Sequence, residues 1–473
     1  MKKGSLATVF LVVLIDLIGF GLVLPLLPFY AREFAATPVV IGLLYSIYSV
    51  AQLVFSPIWG SLSDRLGRRP IMLLSTGGAV IAYIIFGLAG SLAVLFLSRL
   101  VAGVMGGNIA TAQAYIADVT SDADRAKGMG LIGAAFGIGF VLGPALASGL
   151  IHPGFQEWVG AMGLTGLAEW MEVRRFGLPG FFAAFLSLCS FLMVFFFLPE
   201  TVTRLDAARV SQDVRDADGA RNPKQTESAN TGTDKEQPGS PHATEPGNRP
   251  DSPHTTEPGN RPGSPHTTQR GSRPSVFMPA FWRNLSAQQK AGGGSLKLLL
   301  GALFLLSFGQ ASLYSAFPLF AESMLDMTPE QVGIQFFYIG LIAVVVQGGL
   351  IRPLSRWFPE ANLFFTGNIL MTFGLGAIAL SQSVSMLTVF LGIMALGHSL
   401  NLPTINSLIS KEAGSKSYGS MMGIAQGLSG LGRAIGPTWG GFLYGVMVYL
   451  PFYITALALT VTIWIGWKLM RRK

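Results

Sequence analysis

Gly60-Ser61-Leu62-Ser63-Asp64-Arg65-Leu66-Gly67-Arg68-Arg69-Pro70 is the stretch that decides how this chain is read. It sits between two long apolar runs and holds four charges in a tight turn. Gly60 and Asp64 are four residues apart and share one helix face. Gly67 allows the chain to reverse where a side chain would clash. Arg65, Arg68 and Arg69 mark the cytoplasmic side of a membrane span. Asp64, at a helix terminus beside cations, suits a charge clamp between helices that must break and reform.

The composition outside this loop agrees with a membrane setting. Of 473 residues only 12% are charged and 50% are hydrophobic, with a mean hydropathy of +0.50. A soluble protein carries about 25% charged residues. Several apolar runs reach the ~20 residues that cross a bilayer. The chain reads as a polytopic membrane protein, not a soluble enzyme. Its net charge of +8 comes largely from basic residues flanking spans, which a bilayer explains better than nucleic acid does. The single cysteine, Cys189, lies in an apolar run, which excludes a disulfide framework or a multi-thiol metal site. No two of the five histidines are spaced to ligate a metal on one helix. No loop of the Gly-x-x-x-x-Gly-Lys-Ser/Thr type appears, so ATP is not expected to drive the protein. No cofactor or metal is expected.

Hydropathy places spans near 7–30, 38–59, 71–91, 94–115, 128–151 and 178–198, then near 297–320, 332–352, 362–381, 385–408, 419–445 and 448–468. The N-terminal Met1-Lys2-Lys3 and its apolar run mimic a signal peptide. No small-residue cleavage site follows, so the run is expected to stay as the first span. An even number of spans puts both termini on one side. That side carries most of the loop Lys and Arg, whereas the opposite side carries only Arg32, Arg174 and Arg175. The bias predicts cytoplasmic termini. The loop at 152–177, with Trp158 and Trp170, fits either an interfacial helix or a passive connector. Residues 199–295 differ in kind. They are rich in Pro, Gly, Ser and Thr and hold a tandem repeat starting at Ser240, Ser252 and Ser264. Such a segment buries too little to fold and is expected to be a disordered cytoplasmic tether between domains 1–198 and 296–473. Phe277, Phe281, Trp282 and Leu285, near its end, could lie on the inner leaflet. The two halves are related: residues 111–150 and 404–443 align without gaps.

Two charges interrupt apolar spans. Asp16 lies in Leu14-Ile15-Asp16-Leu17-Ile18-Gly19. An ionised carboxylate in lipid is costly, so it must face a cavity, meet a cation or hold a proton. Arg99 begins a fourth span in Ser98-Arg99-Leu100, ahead of Gly103, Gly106 and Gly107. The fifth span carries Gly139-x-x-x-Gly143-Pro144 and the eleventh Gly432-x-x-x-Gly436-Pro437. Small residues at this spacing let backbones approach closely, and each proline frees a carbonyl. A tight, bendable seam is expected there, useful where two bundles rock. Arg433 is a further cation, deep in the eleventh span. Tyr45, Tyr48 and Gln52, with Gln310, Tyr314, Gln347, His398, Asn401 and Gln426, are polar residues that either line a cavity with Arg433 or bond a neighbouring helix.

The loop at 60–70 resembles the signature loop between the second and third spans of the major facilitator superfamily, position for position. Arg99 resembles the fourth-span arginine motif of the same family, and Asp118 with Arg125 resembles that span's cytoplasmic end. Gly139 to Pro144 is similar to the antiporter motif of the fifth span. The first span, with Asp16 and Pro25, looks like that of twelve-span drug:proton antiporters, notably the tetracycline-efflux group. The resemblance implies an all-α fold of twelve transmembrane helices in two pseudo-symmetric six-helix bundles. It implies a monomeric carrier in a bacterial inner membrane whose partners are a small-molecule substrate, protons and lipid. Proton-coupled efflux by alternating access is the implied function, with Asp16 carrying the proton and Arg99 tuning it. Gly60, Asp64, Arg65, Gly67, Arg68, Arg69, Asp118 and Arg125 would form the conformational gate and hold the outward-open state. An organic-anion or metabolite carrier using Arg433 is the alternative, and a non-transporting receptor is a further one. The resemblance thins in the second half, where Gly349-Leu350-Ile351-Arg352-Pro353-Leu354-Ser355-Arg356 lacks the aspartate. Neither the third span nor the ninth contains an acidic residue.

Overall fold

The computed structural model describes residues 3–120, 122–201 and 295–471, with the backbone alone for 3–5, 122–127 and 414–420. The 12-residue repeats and Phe277 to Leu285 lie outside the described residues. Regular structure among the described residues is entirely helical.

The first half opens with α1 (Lys3–Val23) and a short α2 (Leu27–Glu33). The single first span expected from hydropathy is thus broken, because Pro25 disfavours helix at the residue before it. α3 (Pro38–Leu66) starts behind Thr37 with proline in its first turn and ends at Gly67, whose φ of +107° suits a residue without a side chain. α4 (Arg68–Gly87) begins at once. The fourth span is two helices, α5 (Leu92–Met105) and α6 (Asn108–Val119), interrupted at Gly106-Gly107. A glycine pair weakens a helix by about 1 kcal/mol per residue, so the break is inexpensive. α7 (Asp122–Ile151) contains Pro144, and α10 (Leu178–Phe197) closes the half. Between them, 152–177 forms two short helices, α8 (Pro153–Ala161) and α9 (Thr165–Val173), rather than one. Trp158, Met162, Leu164 and Leu167 on this hairpin are exposed.

The second half holds α11 (Ser295–Leu325), α12 (Pro329–Val345), a π-helical turn over Val346–Leu350, α13 (Ile351–Trp357), α14 (Glu360–Ile378), α15 (Val384–Val446) and α16 (Leu450–Met470). The π turn coincides with Gly348-Gly349, which sequence reading passed over as ordinary helix. α15 is a single element where two spans are expected. Packing contacts nevertheless require it to double back. A Cβ on Gly374 of α14 would lie 2.8 Å from Met394 Cα, and one on Gly397 would lie 2.8 Å from Met371 Cα. The first arm of α15 is therefore antiparallel to α14. α16 opposes α14 through Asn368 Nδ2 and Thr462 O (3.2 Å) and opposes α11 through Ser312 and Thr455 (3.5 Å). The second arm rises with α11, Gly432 against Phe304 and Gly436 against Phe308. The two arms are antiparallel. Eleven helical segments among the described residues are long and apolar enough to span by length and composition.

Two helix pairs make the main contacts between the halves, α3 with the second arm of α15 and α7 with α12, and α11 also touches α2 and α3. A Cβ on Gly42 would meet Thr438 Cα at 2.8 Å, and Ser46 accepts a 2.7 Å hydrogen bond from Thr438. A Cβ on Gly340 would meet Phe140 O at 2.6 Å. Further toward the Gly67 end, a Cβ on Gly430 would meet Leu53 Cδ1 at 2.9 Å and one on Gly137 would meet Val344 Cγ2 at 3.1 Å. Ion pairs join the halves at the end bearing Arg32 and Arg175.

The sequence expectation for the paired glycine motifs is corrected here. A Cβ on Gly139 would meet Leu17 Cβ at 2.6 Å, and one on Gly143 would meet Gly21 Cα at 2.6 Å. Gly432 and Gly436 would meet Phe304 O (2.8 Å) and Phe308 O (2.6 Å). All four lie inside their own half, against α1 or α11. The carbonyls of the prolines are closer to the other half: Pro144 O lies 3.4 Å from a Cβ on Gly333 of α12, and Pro437 O, which accepts from Ser315 at 2.7 Å, also faces Gly42 of α3. A small-x-x-x-small pattern reports that a backbone approaches, not whose backbone it is.

Candidate functional site

Five helices of the first half converge on Asp16. α1 supplies Asp16 itself, half-buried. The break at Gly106-Gly107 turns the start of α6 inward, so that Asn108 comes within hydrogen-bonding reach of the carboxylate. Tyr48 of α3 and Tyr83 of α4 stand within electrostatic reach of Asp16. Gly19, one turn along α1, would carry its Cβ 2.8 Å from the Tyr83 hydroxyl. On the other side of the tyrosines lies Arg99. It is buried, with its guanidinium 5.0 Å from the centre of the Phe86 ring and Nη2 donating to Ser98 Oγ at 3.3 Å. Tyr83, Tyr48 and Tyr45 are its ionisable neighbours. Among the described residues no ion pair joins Arg99 to Asp16, and Tyr48 and Tyr83 stand within electrostatic reach of both. Tyr45 donates to Leu24 O at 2.5 Å, and Gln52 Nε2 donates to the Tyr48 hydroxyl at 3.3 Å.

The facing wall comes from α11 and the second arm of α15. Arg433 Nη1 donates to Ser429 Oγ at 2.8 Å, and Ser429 Oγ lies 2.7 Å from Ser307 Oγ. Tyr48 and Tyr314 are the ionisable neighbours of Arg433, and Gln310 Nε2 reaches the Tyr314 hydroxyl at 3.5 Å. Tyr48 therefore lies within reach of both Asp16 and Arg433. Gln426 is exposed on the same arm, and Gln347 is half-buried in the π turn. Asn401 is removed from the cavity set: it is buried, and a Cβ on Gly367 of α14 would lie 3.0 Å from its Cγ. His398, nearby on the same arm, keeps a buried Nδ1 without a hydrogen-bond partner among the described residues. Aromatic rings line the approaches. Phe20 lies 5.3 Å from Tyr48 and 5.9 Å from Phe140 between ring centres, and Phe304 and Phe308 stack at 6.1 Å.

The loop at 60–70 closes around Arg68, which is 2% exposed. Its Nη2 lies 2.6 Å from Asp64 Oδ1, its Nε 2.9 Å from Asp118 Oδ2, and its Nη1 donates to Ser63 Oγ at 2.7 Å. α3, α4 and α6 meet in this one guanidinium. The clamp expected at Asp64 thus joins helices of the first half, not the two bundles. Glu200, which sequence reading left in the linker, accepts from the backbone N–H groups of Arg68 (2.9 Å) and Arg69 (3.1 Å). Its carboxylate satisfies the open amides at the start of α4 and complements the helix dipole. Arg69 Nη2 in turn donates to Phe195 O at 2.5 Å. Arg65 is exposed. The side chain of Arg125 lies outside the described residues.

At the opposite end, two ion pairs bridge the halves: Arg32 with Glu322, and Arg175 with Glu330. Arg175 Nε also donates to Ile151 O, at the C-terminus of α7, at 3.1 Å. Glu330 sits in the first turn of α12, whose capping box joins Thr328 and Gln331. Each charge thus complements the helix end beside it. Glu33 lies nearby; burial raises its carboxyl above the ordinary value, and Arg175 opposes the rise.

Comparison with known proteins fits this architecture. The chain matches the Major Facilitator Superfamily over residues 9–437 and 358–473, and it belongs to that family. It is 35% identical over 207 residues to the class B tetracycline resistance protein of Escherichia coli, covering 43% of this chain and 46% of that protein. It therefore spans less than half the length of that relative. It is 24% identical to multidrug resistance protein 1 of Bacillus subtilis (strain 168), over 99% of this chain and 97% of the relative. Among solved structures, the human organic anion transporter MFSD10 superposes with a TM-score of 0.61 at 23% identity, over 98% of this chain and 99% of that one. At that identity the likeness concerns the fold.

Proposed function

We propose that this chain is a secondary transporter that exports a small, partly hydrophobic solute in exchange for protons. The observation that carries the reading is Asp16, a carboxylate at mid-span with Asn108, Tyr48 and Tyr83 around it and no cation paired to it among the described residues. A carboxylate so placed is costly when ionised and has a hydrogen-bond donor at hand when it is. It can hold a proton while the halves face one way and lose it when they face the other. The ion pairs that join the halves at the Arg32 end support a cycle in which that end opens and closes. The charge bias of the loops supports placing the Gly67 end and both termini in the cytoplasm of a bacterial cell, with the protein in the inner membrane as a monomer. Relatives named for tetracycline and multidrug resistance support efflux of drug-like solutes.

Asp16→Asn tests the assignment. The amide keeps the volume and can still hydrogen-bond, but it does not release a proton near neutral pH. Transport driven by a pH gradient in proteoliposomes should fall at least ~100-fold, a loss of about 2.7 kcal/mol of coupling, while solute binding read by tryptophan fluorescence persists. Coupled transport at the wild-type rate would remove Asp16 from the mechanism.

A further inference from the structure

We propose that the second half contains an anion-binding subsite centred on Arg433, and that the solute it takes is a small organic anion with a flat apolar body. The proposal rests on the transport reading and adds the charge and shape of the cargo. Arg433 follows Gly432, whose Cβ would lie 2.8 Å from Phe304 O of α11. Phe304 is nine residues into that helix, so at 1.5 Å per residue the guanidinium lies ~14 Å or more from the helix start, deep within the span. It is nevertheless exposed.

Its surroundings are those of a donor without an acceptor. Nη1 is held by Ser429 Oγ (2.8 Å), which is steadied by Ser307 Oγ (2.7 Å) on α11. That anchors Nη1 and leaves the edge bearing Nη2 and Nε without a hydrogen-bond acceptor among the described residues. Two parallel N–H groups on such an edge match a carboxylate, sulfonate or phosphate oxygen pair. The ionisable groups facing it are the hydroxyls of Tyr48 from α3 and Tyr314 from α11, and no carboxylate among the described residues is within reach. The other arginines behave differently. Arg32, Arg68 and Arg175 each pair with a carboxylate, and Arg99 is 3% exposed, shut behind Phe86 and three tyrosines. A cation at mid-span with neither an anion nor bulk water is costly. Arg433 is reachable and prepositioned, so its counter-charge can arrive with the solute. Flat rings accompany these neighbours: Phe20 lies 5.3 Å from Tyr48 and 5.9 Å from Phe140, and Phe304 and Phe308, either side of Ser307 in sequence, stack at 6.1 Å. Such surfaces hold planar apolar bodies.

Two probes separate charge from shape: 2-naphthoate and 2-naphthamide share ring and volume and differ by one negative charge. Both are titrated calorimetrically into the purified full chain at neutral pH. The wild type should prefer naphthoate. Arg433→Gln should weaken naphthoate about 10- to 100-fold, the range of a hydrogen bond to a charged group, and leave naphthamide within about threefold. Arg433→Lys should retain part of the preference. Equal wild-type affinity for the two probes, or equal loss of both in Arg433→Gln at an unchanged unfolding midpoint, overturns the proposal. If the Gln variant does not fold, the wild-type preference and the Lys variant carry the decision: no preference in the wild type, or a full preference in a folded Lys variant, counts against the bidentate edge. Asp16→Asn should bind naphthoate like the wild type. Loss of proton-driven exchange in that variant with naphthoate preference intact would sustain both proposals, and wild-type exchange with the preference intact would overturn only the coupling role of Asp16.

Discussion

Gly139 and Gly143 on α7 press against α1, and Gly432 and Gly436 on α15 press against α11, so the two halves repeat one packing arrangement. Their charges do not repeat. The first half holds Asp16, Arg99 and the buried Arg68 cluster. The second half places an exposed Arg352 where the cluster would be and puts its one deep cation, among the described residues, at Arg433. Packing between helices is constrained by backbone distance, so it survives duplication. Polar side chains are constrained by what they must bind, so the halves are free to diverge there.

The packing side of this comparison gives the largest effects. Gly143→Val and Gly436→Val each drive a branched side chain into backbone 2.6 Å away from the first added carbon. Each should destabilise by about 3 kcal/mol or more, with similar size in both halves, read as a lowered unfolding midpoint and reduced membrane abundance. Gly60→Ala, which faces open space, should be tolerated; a strong effect there would mean that the glycines do not act through close approach. The charge side should be asymmetric. Arg68→Ala leaves Asp64 and Asp118 facing each other and should cost about 2–3 kcal/mol, below the ~3–5 of a fully buried pair because Asp64 remains 43% exposed. Arg352→Ala should change stability by less than ~0.5 kcal/mol. Equal costs in chemical denaturation would erase the distinction between the halves.

Smaller effects belong to the ion pairs that join the halves. Arg175→Gln removes the partner of Glu330, which is 10% exposed, and should weaken the closure of α7 on α12 by about 1–2 kcal/mol. Faster amide exchange in the first turns of α12 is the expected signature. Smallest of all should be deletion of 222–274. The tether expectation puts no transport function in the repeats, so activity per molecule should stay within about twofold. A large loss at normal abundance would give the repeats a role that neither half explains.

The apolar runs and the loop at 60–70 made the fold legible, because bilayer thickness sets span length and the loop is chemically distinctive. Asp16 and Arg99 were visible as charges in apolar context. The surroundings of Asp16 were not. Asn108 reaches it only because the helix breaks at Gly106-Gly107, and a glycine pair inside an apolar run gives no reliable signal of a break. Tyr83 was overlooked because an isolated tyrosine in a span reads as packing. Glu200 was assigned to the linker because its value lies in two backbone amides 131 and 132 residues away. For Asn401 the sequence left two outcomes open, and the residue lies against Gly367 of α14, since polar residues in spans bond neighbouring helices as readily as they line cavities.

The two bridges at the Arg32 end share a polarity. In both, the first half contributes the cation and the second half the anion. Drawing the halves apart there leaves a mouth with one positive lip and one negative lip. At physiological ionic strength charges are felt over ~8 Å, a distance comparable to a small solute. A dipolar molecule passing that threshold would be turned to face one way, so under the transport reading these residues would favour molecules by the direction of their dipole.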